Sequence, residues 1–465
     1  MDNSLAETMT APQDSKSGLN PCPFGQSMRL QHFGFAPTYL PLNHGSYGVS
    51  PHYVQEKLHA LHKVSNERPT VFMKWTMPKM QAESRAAVAQ ILCCPVDDLV
   101  LVPNNSTASD LILRNVNWKE GDVILYHDLT YPALKKALCH IEEISPVRAE
   151  KVNMSWPVSD DDLERHYEEA ILRINAETSR QVRMLIIDTI TSVPGLLLPW
   201  ERMCALARRH SVYSLVDGAH GIGHIDIDLT AAQPDFFFSA LHKWLFVPRG
   251  CTAMYVNPRV CHLIRATLPI SHSFQPLPNC TIMSLDEVPT PNTTSSLAEL
   301  FSFVATQDYC PQLVIPAALA FRKQVCGGEK AIQKYCAEVA WKGAEAAAEV
   351  LGTEVMHIPD ATVREKACFL VNVRMPISLS KYQRADLKEI FDYIQRAAAV
   401  DFDTFFQIAY VSDTFWWRIS GQVYIEVKDI VKGAEYLKIL CARVRDGSWI
   451  EDRKRKSLGF SIEVE

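Results

Sequence analysis

The sequence predicts an α/β fold, with a mostly parallel central sheet in a large domain and a smaller α+β domain at the C-terminal end. Three observations carry this. Between residues 98 and 256, the short apolar runs DLVLVP, DVILYH, VRMLIID, SVYSLVDG, PDFFFSA and TAMYV alternate with amphipathic or turn segments. These runs are rich in Val, Ile, Leu and aromatics with little alternation, as strands covered on both faces by helices should be. The texture then changes near residue 311, and the long helical pattern GGEKAIQKYCAEVAWKGAEAAAEVLG opens a second region. There the strand signals ACFLVNVRM, FFQIAYV and FWWRISGQVYI precede a closing helix, KDIVKGAEYLKILCARVRDG.

Taken in order, residues 1–20 are polar and read as a disordered tail. Residues 21–65 form an N-terminal segment expected to pack on the small domain. Within it, PLNHGSYGVSPHYVQEKLHALHKV reads as a loop and a helix, with Ser50 as N-cap and Pro51 at the first helical position. The large domain spans 66–310, with helices over PKMQAESRAAVAQILC and ERMCALARRH, and the small domain spans 311–465. The basic run DRKRKS, Asp452 to Ser457, reads as a solvated tail.

Composition narrows the function. The chain has 465 residues, 47% hydrophobic and 22% charged, which suits a globular protein of two or three domains. A net charge of -6 and a pI near 6.2 give no electrostatic reason to expect nucleic acid or a membrane surface as partner. Thirteen scattered cysteines show neither a disulfide framework nor a metal-ligand spacing, so reduced thiols and no metal site are expected. The N-terminal stretch lacks a secretory core, and no apolar run approaches the roughly 18 residues that span a bilayer. A cytoplasmic protein is expected, with the glycosylation sequons at Asn153 and Asn292 unused.

The chemistry sits in two strings. FFFSALHKWLFVPRG places Lys243 at the end of an apolar run, and lysine is rarely buried without a partner or a covalent use. Upstream, SLVDGAHGIGH sets Asp217 at the C-terminal end of another apolar strand. A lysine that can hold an aldehyde as a Schiff base, facing an acid that pairs with a pyridinium nitrogen, suits pyridoxal phosphate (PLP). A helix cap or turn former is the plainer reading of Asp217. DGAHGIG superficially resembles a dinucleotide fingerprint, but it follows the acid and its glycines run in the wrong order.

Further candidates surround this pair. In LVLVPNNSTASDLILRNV, Ser106 and Thr107 fall at a helix start, suited to phosphate, although an ordinary N-cap explains them equally. His242 is either a phosphate ligand or a satisfied core histidine. Arg249 either closes the same loop or lies in solvent. Tyr131, after a strand, either packs or stacks on the cofactor and donates a proton to a leaving group. Arg418, on the apolar strand FWWRISGQVYI, either captures a carboxylate or makes a structural ion pair.

On the strings LNHGSYG, DGAHGIG, HKWLFVPRG and WWRISGQVY the chain resembles the class V aminotransferase family of fold-type I PLP enzymes, from about residue 43 to 445. Within it, the chain resembles the isopenicillin N epimerase-like branch, with hercynylcysteine sulfoxide lyases, loline-pathway enzymes and cysteine desulfhydrases as near relatives. The resemblance implies that Lys243 binds the PLP aldehyde and that Asp217 holds the ring nitrogen. It puts Ser192 and His220 near the ring's phenolic oxygen, and Ser106, Thr107 and His242 at the phosphate. Thr306, in FVATQD, would reach the phosphate of a neighbouring subunit, implying a homodimer with shared sites. Asn43, His44 and Arg418 would line the substrate site, with Tyr131 catalytic beside Lys243 and Asp217. The chain departs from the lyase pattern at Pro132, where that pattern has glycine, at His220, where it has glutamine, and in the string NNSTASD. The cysteine loop of persulfide-transferring desulfurases is absent.

The expected function is a PLP-dependent carbon–sulfur β-lyase acting on a small, amino-acid-like molecule. The alternatives are substitution or cyclisation at Cγ in a fungal alkaloid route, epimerisation, or transamination, because one cofactor supports them all. A non-catalytic scaffold is the remaining reading, and the presence of both Lys243 and Asp217 argues against it.

Overall fold

The computed structural model describes residues 19–277 and 296–456. Most of the expected N-terminal tail, Asn292 and Ser457 lie outside the described residues. The large sheet contains β1 (Leu99–Val102), β2 (Asp122–His127), β3 (Arg148–Val152), β4 (Gln181–Asp188), β5 (Tyr213–Asp217), β6 (Phe236–Ala240) and β7 (Thr252–Val256). Their spatial order is β1-β7-β6-β5-β4-β2-β3, and every neighbouring pair is parallel except those that β7 makes with β6 and β1. The mostly parallel α/β class is therefore what the molecule adopts. Every position of β1, β6 and β7 is buried, which is why these runs show no alternation.

The strand β3 carries the sequence RAEKV and has no apolar run to announce it. It is an edge strand, where exposed charged side chains are tolerated and discourage pairing with other chains.

A second, antiparallel sheet is built from β8 (Leu370–Arg374), β9 (Gln407–Val411) and β10 (Thr414–Ser420), in the order β8-β10-β9. The helices Glu329–Leu351 and Val427–Asp446 pack together over it. Three boundaries differ from expectation. The stretch after Ser420 leaves the sheet, with Gly421 N–H bonding the Phe369 carbonyl, and turns at Gln422–Ile425. The first long helix begins at His52, so Pro51 takes the cap position, and the Ser50 hydroxyl accepts from Gln55 instead. The basic run is no free tail: the helix Trp449–Lys456 includes most of it, and Trp449 is buried against Tyr393.

Residues from Met28 to Leu42 share one apolar core with residues from Phe321 to Trp449 and with Trp244 and Phe246. Main-chain bonds from Gly25 to Val423 (2.7 Å) and from Leu40 to Asp403 (2.9 Å) stitch the N-terminal segment to this region. The cysteines among the described residues are free thiols, and no helix there is long and apolar enough to cross a membrane.

The topology gathers chemistry at one edge. Parallel strands β4 and β5 end side by side with Asp188 in register with Asp217, and β6 runs directly into the short helix Leu241–Trp244. In open α/β sheets this carboxyl edge is where ligands bind.

Candidate active site

Lys243 is partly buried, and its Nζ lies 3.0 Å from His220 Nε2. The short helix that carries it is gripped from several sides. His44, 5% exposed, contacts the Lys243 carbonyl through Nε2, while its Nδ1 lies 2.6 Å from the Tyr424 hydroxyl. A carbonyl can only accept, so Nε2 carries the proton and Nδ1 accepts from Tyr424. This neutral form is also the one burial favours, which pulls the His44 pKa down to about 3. Gly48, at φ +62, runs beneath the same segment, and a Cβ there would lie 1.7 Å from the His242 carbonyl oxygen. Gly223, at φ +75, similarly leaves no room for a side chain against the Trp244 carbonyl.

Asp217 is buried at the end of β5, and its Oδ1 accepts the Ala219 N–H at 2.9 Å, so the turn-forming reading also holds. Burial and then the neighbouring Asp188 push its carboxyl above the usual range, while the Ala219 N–H and Lys243 pull it back. Lys243 is shifted the other way: burial lowers its proton affinity and Arg418 lowers it further, against the attraction of Asp217 and Asp188. The two groups therefore act on each other electrostatically. Behind Asp188, His127 Nε2 lies 3.0 Å from Asp188 Oδ2, and both residues are buried.

The first turn of the helix Asn105–Asn115 opens toward the same edge. Its cap is Asn104, whose side chain accepts from the Thr107 N–H at 2.8 Å and from the Thr107 hydroxyl at 3.1 Å. Ser106 is thus not the cap, and it is exposed. The Thr252 hydroxyl donates to Asn105 Oδ1 at 2.9 Å, and Thr252 pairs with Ala240, tying this helix start to the end of β6, two residues before His242. His242 Nδ1 is buried with no hydrogen-bond partner among the described residues, so that atom is not satisfied as the core reading would have it. Burial, then Lys243 and Arg249, lower the His242 pKa to about 4.

Arg418 is 1% exposed on β10. Its guanidinium donates to the Ser192 carbonyl at 2.6 Å, to Asn43 Oδ1 at 2.8 Å and to the Ser46 hydroxyl at 3.1 Å. No carboxylate among the described residues pairs with it, and its Nε has no partner. The structural ion pair is therefore absent there. Burial lowers the Arg418 pKa to about 10, so it stays a cation at neutral pH.

The structure thus joins Lys243, Asp217, His220 and Arg418, with Asn43 and the Ser192 carbonyl on Arg418. His44 supports the lysine segment, and both its ring nitrogens are committed. Tyr131 stands at the N-cap position of the helix Pro132–Ile144 without a side-chain cap bond and is 46% exposed, and Thr306 is exposed. Sequence reasoning missed Trp244, Ser46 and Asp188. Asp188 had a signal, since VRMLIID ends in an acid as SLVD does.

The site offers two orphaned buried donors or acceptors, His242 Nδ1 and Arg418 Nε, and a lysine and an acid that sense one another. This set fits PLP: an amine for the aldehyde, an acid for the ring nitrogen, and a helix start and histidine for the phosphate.

The aminotransferase class-V family model matches residues 51–315. An L-cysteine desulfhydrase-like protein of Epichloe uncinata is 32% identical over 443 residues, spanning 91% of this chain and 97% of that protein. Hercynylcysteine sulfoxide lyase of Schizosaccharomyces pombe is 28% identical over 419 residues, 90% of this chain and 98% of that one. Among solved structures, a C-DES variant with glycine covalently linked to its PLP cofactor superposes with a TM-score of 0.69 at 18% identity, covering 88% of this chain and 98% of that one. The cystine C–S lyase C-DES with cysteine persulfide gives 0.68 at 16% identity, covering 86% and 98%. At these identities the two structures speak to the fold.

Proposed function

Because this chain belongs to the aminotransferase class V family, whose enzymes work with PLP, we propose that it is a carbon–sulfur β-lyase acting on an amino-acid-like substrate. The observation that carries this reading is Arg418, a buried cation with no carboxylate partner among the described residues, close enough to Lys243 to depress its proton affinity. A buried charge without a counter-charge is costly, so its retention at this place supports a ligand that arrives with one. The α-carboxylate of an amino acid fits a guanidinium fork.

Lys243 would hold the PLP aldehyde, Asp217 the ring nitrogen, and Ser106, Thr107 and His242 the phosphate, with Thr306 serving the site of a second copy. When bound, PLP supplies an electron sink that stabilises negative charge at the substrate Cα. Arg418, braced by Asn43, Ser46 and Ser192, orients the substrate by its carboxylate. Lys243 Nζ is the base placed to take the Cα proton, and its lowered proton affinity brings it nearer to working pH. His44 and Tyr424 fix the main chain under that amine, limiting the paths it can move along.

The relatives named as a desulfhydrase-like protein and a sulfoxide lyase support sulfur as the leaving group. The test is incubation of PLP-loaded protein with S-substituted cysteines and their sulfoxides. Pyruvate and ammonia in equal amounts are expected, and their absence across the panel rejects the lyase. A second reading, substitution or ring closure at Cγ, draws on Tyr131: the acid the lyase would use on sulfur is half-exposed and has no side-chain hydrogen bond at its helix start. Deuterium incorporation at Cα and product mass separate the two readings.

A further inference from the structure

We propose that Trp244 is a positioning residue that fixes the tautomer of His220, so that His220 presents an N–H rather than a lone pair to Lys243. Trp244 Nε1 donates to His220 Nδ1 at 3.2 Å, and His220 Nε2 lies 3.0 Å from Lys243 Nζ. An indole N–H can only donate, so Nδ1 must be the acceptor. His220 is 1% exposed, and burial, the largest influence on it, holds it neutral, with the Arg418 cation acting in the same direction. A neutral imidazole has one N–H, and with Nδ1 committed it sits on Nε2. An ammonium has no lone pair to receive that hydrogen; a free amine has. The contact at 3.0 Å is thus one that the unprotonated lysine can satisfy and the protonated one cannot.

The indole itself cannot turn. Trp244 is 1% exposed, with ring centroids 4.6 Å from His224, 5.6 Å from Phe369 and 5.3 Å from His44. Arg322 donates to its carbonyl. The charges facing Lys243 are divided. Asp217 and Asp188, from the ends of β5 and β4, favour the ammonium, while Arg418 of β10 opposes it. His224 and His242, which also face His220, are held toward their neutral forms by burial. The fixed N–H of His220 adds to the side that favours the amine. A glutamine at position 220, as in the resembling lyase pattern, could offer an N–H by rotating its amide. A histidine there offers one only if its other nitrogen is engaged, and that is the task this geometry gives to Trp244.

The consequence rests on Lys243 being the PLP lysine, whereas the tautomer does not. An amine already unprotonated can attack the aldehyde directly: the C=N bond forms, one water leaves, and no proton need first be removed from nitrogen. Solid-state ¹⁵N NMR of the full-length, histidine-labelled protein, with His220 assigned by difference against H220Q, should show Nε2 protonated and Nδ1 bare. In W244F the two tautomers should mix. The second measurement is the pH midpoint for PLP capture by Lys243, trapped with borohydride and read by mass spectrometry. W244F should raise it by about one unit, a tenfold slower capture below the midpoint. In the H220Q background the same W244F change should add no shift, because the amide needs no tautomer partner.

An Nδ1–H or imidazolium signal in the wild-type protein overturns the proposal, as does an equal W244F shift in both backgrounds, which would mean packing alone. If the tautomer is as stated but no PLP is captured, the functional reading fails and the Trp244 assignment stands.

Discussion

Arg322 and Arg418 are each 1% exposed, and each donates to main-chain carbonyl oxygen, yet their surroundings differ in one respect. Arg322 pairs with Glu329 through two nitrogens, bonds the carbonyls of Trp244 and Gly223, and lies against the Phe246 ring. Its charge is answered inside the protein. Arg418 has carbonyl, amide and hydroxyl oxygens around it and no carboxylate among the described residues. The first arginine's charge is answered within the fold; the second has no such answer among the described residues, which is what the proposed substrate carboxylate would supply. Burial alone would not have told them apart, because the distinguishing fact is the missing counter-charge.

The strongest way to break this contrast is Arg418→Met in the PLP-loaded enzyme. Losing a buried charge partner for the substrate should cost about 4 kcal/mol, roughly a thousandfold in kcat/KM. The denaturant midpoint should change less than it does for Arg322→Met, since removing a buried charge with no counter-charge offsets the loss of its donors to Ser192, Asn43 and Ser46. Unchanged kinetics would make Arg418 structural.

Arg322→Met should do the opposite, lowering unfolding free energy by about 3 kcal/mol by stranding Glu329 and two carbonyls. Denaturant melts of the PLP-free protein check this. A neutral result would mean that the pair with Glu329 contributes little.

A substrate-like carboxylate that cannot react, such as a cysteine analogue lacking a leaving group, should stabilise the wild-type enzyme by up to about 2.7 kcal/mol at a hundred times its Kd. The same compound should leave Arg418→Met unmoved in thermal melts. Equal stabilisation of both proteins would place the carboxylate elsewhere.

The smallest effect concerns His44. His44→Ala leaves the buried Tyr424 hydroxyl and the Lys243 carbonyl without their partner, a loss of about 2 kcal/mol at neutral pH. The pH dependence has a definite sign. With its pKa pulled down to about 3 from an ordinary 6.5, His44 is protonated in the unfolded chain before the folded one. Its contribution is therefore present above about pH 6.5 and is lost as pH falls toward 3. The gap between wild type and His44→Ala should narrow over that window in urea melts; a constant gap would refute the buried neutral histidine.

Much of the fold could be read directly because it is written in short stretches. DVILYH, SVYSLVDG and PDFFFSA are strands, since continuous apolar runs have few other stable homes. β3 escaped because an edge strand need not be apolar. The candidate chemistry was legible to the same extent. Lys243 and Asp217 stood out because each is an ionisable group at the end of an apolar strand. The alternatives left open there turn on details that residue order does not show. Asn104, not Ser106, caps its helix, and among the described residues His242 Nδ1 has no hydrogen-bond partner and Arg418 no carboxylate.

From residue order alone came the alternation of strand and helix and the recognition of Lys243 and Asp217 as ionisable groups at strand ends, because each depends on neighbours within a few residues. The tertiary structure decided which groups answer one another. His44 meets Tyr424 from 380 positions away, and Arg418 meets Asn43 from 375. Trp244 reaches His220 across 24. Such contacts depend on how the two sheets and the N-terminal segment pack, and hydrogen bonds act over about 3 Å whatever the separation along the chain.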